Sequence, residues 1–180
     1  MDLAEWLSQR LRMPYRFAPA ADGQFGNVIL SRLPIVRTEA VSLPQVNGAM
    51  RRSYVLVTVS VGGGRRLTVI DAHLEGSDPD HHDQTQRLLT DWGGAPYTVI
   101  AGDMNMQPDD PDVALFEGAG LVSAQDQAGQ GSTATASHPK FPGDRVDWIF
   151  GTNDVSFSSF GVGSSDASDH LPLEVTITLA

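Results

Sequence analysis

The sequence predicts a mixed α/β or α+β domain built around packed β-sheets. Three observations predict it: many short β-branched runs bounded by Gly and Pro, a few stretches with helical apolar spacing between them, and no internal repeat. At 180 residues the chain has the length of one domain, 1–180, and its 41% hydrophobic residues supply a core.

The elements follow in order. Asp2 can cap a helix over 2–13, with Leu3, Trp6, Leu7 and Leu11 at helical spacing and Pro14 closing it. After a turn-prone stretch at 20–23, residues 28–30 read as a short buried strand ended by Pro34, and 35–42 as another. The β-branched runs 53–59 and 66–71 form a hairpin through Gly62-Gly63-Gly64, which supplies the positive φ of a tight loop. Pro79 suits the start of a helix over 79–91. The apolar strand 97–101 that follows suits a sheet buried on both faces. Residues 111–118 read as helix, and the Gly-, Ser-, Thr- and Gln-rich segment 119–142 as a long surface loop of the kind that borders sites. Strands at 146–150, 155–160 and 173–179 complete the set.

Composition removes several classes of function. With no cysteine there is no disulfide framework, thiolate metal site or Cys nucleophile. Acids near the N-terminus replace the bases of a secretory signal, and no run of about 18 apolar residues offers a membrane span, so the chain reads as soluble. Its compartment stays open, with the cytoplasm favoured. A net charge of −10 and a single lysine, Lys140, argue against holding long nucleic acids by phosphate neutralisation. Carboxylates around a cation can nevertheless recruit a phosphate through the metal. No Gly-x-Ser-x-Gly elbow and no P-loop is present.

The informative feature is that apolar strands end in polar clusters: Asp71-Ala72-His73-Leu74, Gly102-Asp103-Met104-Asn105, and Asp169-His170 before the last strand, with Arg145-Val146-Asp147 opening a fourth. Singly, each has an ordinary reading. Asp103-x-Asn105 is a turn, His73 a satisfied core histidine, Asp147 an ion-pair partner of Arg145, and Asp169-His170 a capped loop. Together they place carboxylates, imidazoles and an amide on several strand ends, which one sheet rim can gather. Mg²⁺ takes carboxylate and amide oxygens, as Asp103, Asn105 and Asp169 offer; zinc fits that set less well. Two histidines can bind or protonate a phosphoryl group, one of them oriented by Asp147. Arg51-Arg52 and Arg65-Arg66 read either as a local anion-binding patch or, the favoured alternative, as solvated hairpin ends. His81, His82 and His138 read as exposed and without chemical role.

In order along the chain, Gly26-Asn27-Val28-Ile29-Leu30-Ser31-Arg32-Leu33-Pro34, Ile70-Asp71-Ala72-His73-Leu74, Ala101-Gly102-Asp103-Met104-Asn105, Arg145-Val146-Asp147-Trp148-Ile149-Phe150 and Ser168-Asp169-His170-Leu171-Pro172 resemble the motifs of the endonuclease/exonuclease/phosphatase superfamily. The resemblance spans residues 26–172. It implies the deoxyribonuclease I-like fold, a four-layer sandwich of two facing β-sheets with outer helices and a site at one rim. It also implies a metal-dependent phosphoester hydrolase, a phosphodiesterase foremost, that uses Mg²⁺ or Mn²⁺. The substrate would be a small molecule, lipid head group or nucleic acid. His73 would bind or protonate the scissile phosphate and Asp103 would orient or deprotonate water. Asp103, Asn105 and Asp169 would hold metal, and His170, oriented by Asp147, would contact the phosphoryl group. Asn27 and Arg32 would bind substrate at the site's edge.

Members of this superfamily ordinarily begin with a strand carrying Asn and a second ending in Gln-Glu, whose Glu binds metal. This sequence starts at the helix that would follow, so it resembles a shortened member without that strand unit. Two expectations result: metal binding and turnover weakened by roughly three decades or more, and self-association through exposed sheet edges. An inactive member acting as a binding module is the alternative.

Overall fold

The structure is a computed structural model that describes residues 2–47, 50–76, 79–129, 134–135 and 143–180. Helix α1 (Leu3–Leu11) starts as the sequence predicts, with the Asp2 carboxylate accepting from Ala4 N at 2.9 Å. It stops before reaching Pro14, because Arg12 adopts a left-handed φ of 56° and Met13 N closes on Ser8 O at 3.1 Å. A hairpin of β1 (Tyr15–Pro19) and β2 (Gly26–Leu30) follows, with Tyr15 opposite Leu30. The sequence does not announce β1, which has no β-branched residue and is bracketed by prolines.

Strands β3 (Ile35–Ser42), β4 (Ser53–Gly62) and β5 (Arg65–His73) form an antiparallel meander, turned at Gly62-Gly63-Gly64 as expected. Helix α2 (Asp80–Trp92) then crosses over to β6 (Thr98–Asp103), which runs parallel to β5. After α3 (Val113–Gly118), the expected loop 119–142 is partly structured: it holds β7 (Val122–Ser123) and α4 (Ala124–Ala128). Ser123 caps α4, and Arg145 clamps that turn with bonds to Asp126 at 2.9 and 3.1 Å while its guanidinium lies 3.9 Å over the Trp148 ring. These long-range ties cannot be read from the composition of the segment. His138 and Lys140 lie outside the described residues. Strand β8 (Asp147–Gly151) returns antiparallel to β6, and β9 (Val155–Val162) pairs with β10 (Leu173–Leu179).

The main sheet has the order β3-β4-β5-β6-β8-β7. Alternation along its strands sends Tyr54, Leu56, Ile70, Ile100 and Phe150 to one face, against Leu88 and Trp92 of α2 and Phe116 of α3. There Phe116 and Trp148 stack on Phe150 with ring centroids 4.6 and 5.1 Å away. The other face carries Val55, Val57, Leu67 and Val99 against Ala18 of β1, Phe157 of β9 and Ala124 of α4. The second sheet of the expected sandwich is thus represented by two two-stranded ladders, β1-β2 and β9-β10, with α1 packed on β1.

At Gly102 the backbone has φ 135°, and a Cβ there would lie 2.0 Å from Ala72 O. Parallel β5 and β6 meet at this point, next to Asp103. Gly102→Ala is expected to cost at least about 2 kcal/mol, read as a lower midpoint in urea unfolding.

Candidate active site

Register builds the site. His73 ends β5 opposite Asp103, which ends β6, and Asp103 stands opposite Asp147, which opens β8. The three side chains therefore form one row across three adjacent strands, on the same face as Val69, Val99 and Ile149. His170 reaches this row from the segment before β10. Its Nδ1 lies 2.9 and 3.1 Å from the Asp147 carboxylate oxygens, and its Nε2 lies 3.8 Å from Asp103 Oδ2. Thr135 couples the two segments: its hydroxyl accepts from Val146 N and Asp147 N, and its carbonyl accepts from Leu171 N.

Asp103 Oδ2 lies 3.3 Å from His73 Nε2, while its Oδ1 accepts from Asn105 N at 3.0 Å. That bond holds Asn105 in a left-handed turn with φ 51°, and the Asn105 amide donates to Leu74 O at 2.8 Å. The ordinary turn reading of Asp103-x-Asn105 is thus correct for the backbone. Asp147, by contrast, orients His170, and Arg145 pairs with Asp126 instead.

The electrostatics follow from crowding. Burial holds the His73 imidazole below its ordinary value; Asp103 opposes this and the Arg52 charge reinforces it. Burial raises the Asp103 carboxyl, His73 pulls it down, and the neighbouring Asp147 charge pushes it up again. Burial would lower His170, but the hydrogen bond and charge of Asp147 outweigh it and raise its value.

Other sequence candidates fall differently. Asp169 is exposed beside His170, and Asn27 is buried, with its amide donating to Ser53 O at 2.6 Å as a tie between β2 and β4. Arg32 is exposed in a turn that Pro34 O fastens to Ser60 N, seven residues along β4 from Ser53, the partner of His73. That separation is about 23 Å, so Arg32 is not brought to the row. Arg52, favoured above as a solvated hairpin end, sits at the site with its side chain 11% exposed. Its Nη1 donates to His73 Nε2 at 2.8 Å, and its Nε, 3.6 Å from Glu75 Oε2, is buried without a hydrogen bond. Its one local sign is position: it precedes Ser53, which pairs with His73.

Asp103, Asp147 and His170 each offer one ligand atom, and these atoms lie within 4.8 Å of one another. Two half-buried carboxylates with an imidazole suit a divalent cation, which would relieve the repulsion between the acids. This trio differs from the set of Asp103, Asn105 and Asp169 that the resemblance implies.

The sequence matches the Endonuclease/Exonuclease/phosphatase family over residues 2–170. No curated protein matches it. Among solved structures it is similar to an endonuclease/exonuclease/phosphatase from Beutenbergia cavernae, with 26% identity and a TM-score of 0.80. That alignment covers 98% of this chain and only 56% of the other, so this chain spans little more than half of that relative. The fold also aligns with mannosyl-6-phosphatase of Bacteroides thetaiotaomicron (16% identity, TM-score 0.82, covering 98% and 81%). A third likeness is TDP2 of D. rerio in complex with a single-strand DNA product (22%, 0.73, 97% and 80%). With the family matched over nearly its whole length and the same fold found in these relatives, the chain belongs to the Endonuclease/Exonuclease/phosphatase family.

Proposed function

We propose that the protein is a divalent-metal-dependent phosphoester hydrolase, a phosphodiesterase acting on small phosphoesters. The observation that carries this reading is the single-register row His73–Asp103–Asp147 with His170 set over it. Members of the family hydrolyse phosphoesters and generally use divalent metals, and Mg²⁺ or Mn²⁺ fits the Asp103 and Asp147 carboxylates. Such a cation supplies charge stabilisation at the phosphoryl oxygens.

The chain's own residues carry the remaining steps. Asp103, whose carboxyl burial raises above its ordinary value, accepts a proton from the attacking water. His170, kept charged by Asp147, donates from Nε2 to a phosphoryl oxygen. Arginine can only donate, so the Arg52 contact makes His73 Nε2 an acceptor and the ring neutral at rest. An arriving phosphate anion draws Arg52 to itself and uses the otherwise unbonded Nε. Substrate size is supported by the net charge of −10 and by an apolar groove lined by Leu3, Leu7, Phe17, Phe25 and Val28, whose Phe25 ring meets His73 edge-on at 5.7 Å.

Hydrolysis of bis-(p-nitrophenyl) phosphate with Mn²⁺ or Mg²⁺ tests the proposal, with p-nitrophenyl phosphate and single-stranded DNA as competing substrates. Turnover of the diester that a chelator abolishes is expected; no turnover by the folded protein overturns the reading. Arg52→Gln is expected to raise KM about tenfold, the loss of one charge-assisted contact, with kcat changed less, in steady-state kinetics on the same ester.

A further inference from the structure

On the helical side of the main sheet, the first turn of α2 meets the segment entering α3. His81, expected to be exposed, is 5% exposed, and Asp112 is 3% exposed. His81 Nε2 lies 3.0 Å from the carbonyl oxygen of Met104, which can only accept, so Nε2 carries a proton. Nδ1 faces Asp112 Oδ2, 3.2 Å away, and this buried oxygen takes part in no hydrogen bond. A buried carboxylate oxygen without a hydrogen bond calls for a proton donor or a cation beside it. Asp112 Oδ1 is already engaged by His82 Nδ1 at 2.6 Å. Asp110 completes the cluster: its Oδ1 accepts from Asp112 N at 2.9 Å, and His81, Asp110 and Asp112 each offer a ligand atom within 4.8 Å of the others.

We propose that His81, Asp110 and Asp112 form a second metal site, separate from the row at Asp103, for a divalent cation of the zinc class. Two ligands about 2.0–2.1 Å from a tetrahedral zinc lie ~3.3 Å apart, close to the 3.2 Å between His81 Nδ1 and Asp112 Oδ2. A buried imidazole selects a borderline metal over Mg²⁺. The Nε2 bond to a backbone carbonyl is the support that metal-bound histidines ordinarily have. A cleft of about 330 Å³ lined by Pro79, His82, Asp83, Asp110, Pro111 and Asp112 gives the ion access and leaves room for water as a fourth ligand. The role is structural. Met104 sits between Asp103 and Asn105, so a metal that fixes His81 also fixes the turn carrying both.

The test uses the untagged full chain stripped with chelator, in an Asp147→Asn background that disables the first cluster. Calorimetry with Zn²⁺, and visible absorption with Co²⁺, should show one equivalent bound with a four-coordinate spectrum that excess Mg²⁺ does not displace. Asp110→Asn keeps the acceptor for Asp112 N and should weaken Zn²⁺ binding at least tenfold. Unchanged stoichiometry and affinity in Asp110→Asn, or displacement by Mg²⁺, overturns the site. If that variant fails to fold, anomalous scattering from a zinc-soaked crystal of the native chain decides. A peak between His81 and Asp112 supports the site, and its absence there overturns it.

Discussion

Asp103→Ala is expected to lower kcat on bis-(p-nitrophenyl) phosphate by about three decades, the scale of a lost general base and metal contact. The carboxylate holds the centre of the row: Oδ2 faces His73 at 3.3 Å and His170 at 3.8 Å, and Oδ1 anchors Asn105 N. Alanine also removes that anchor, so a fall in activity alone could reflect a disordered turn. Asp103→Asn separates the two causes, since its Oδ1 still accepts from Asn105 N while the base is gone. Both variants should be equally inactive, with Asp103→Asn melting at the native temperature. Retention of more than a tenth of native kcat by Asp103→Asn would remove Asp103 from the chemistry.

Asp71→Asn is expected to stabilise the protein, increasingly as pH rises from about 4 to 7. Asp71 is half-buried on β5, and burial raises its carboxyl to about 7, opposed by the hydrogen bond that Val28 N donates to its Oδ2 at 3.1 Å. In the unfolded chain the same acid ionises near its ordinary 3.8. Between these values the folded state binds the extra proton, so stability falls as pH rises from about 4 to 7 and the full penalty applies above that. Three units correspond to about 4 kcal/mol; with partial exposure, about 2–4 kcal/mol is expected. Asparagine keeps the acceptor for Val28 N and cannot ionise. Its Tm at pH 8 should exceed the native value by roughly 5–10 °C, with the difference shrinking as pH falls and closing below about pH 4. Equal melting at pH 8 would show that Asp71 stays ionised at no cost.

How much was legible in the chain depends on whether the cause was local. Strands β3, β4 and β5 were readable because β-branched runs and three consecutive glycines act within a few residues. That His73, Asp103, Asp147 and His170 come together was readable because each adjoins an apolar run. Strand β1 was not, since Tyr15–Pro19 is held by pairing with β2 and carries no strand signal of its own. Arg52 and His81 were misread for a related reason. The first is placed by the β4–β5 register and the second by the segment entering α3, contacts that span 21 and 31 residues. Arg32 adjoins a motif, yet the turn after β2 places it beside Ser60, at the far end of β4 from Ser53.

The row of His73, Asp103 and Asp147 also dictates when function arrives during folding. The β4–β5 hairpin can close early around its short turn, but it brings no two members of the row together. His73 meets Asp103 only after the α2 crossover has laid β6 parallel to β5, and Asp147 joins after a further 44-residue excursion to β8. Such distant pairings close slowly. In a refolding time course, far-UV circular dichroism should therefore recover ahead of catalysis, which makes turnover a reporter of the last strand to dock.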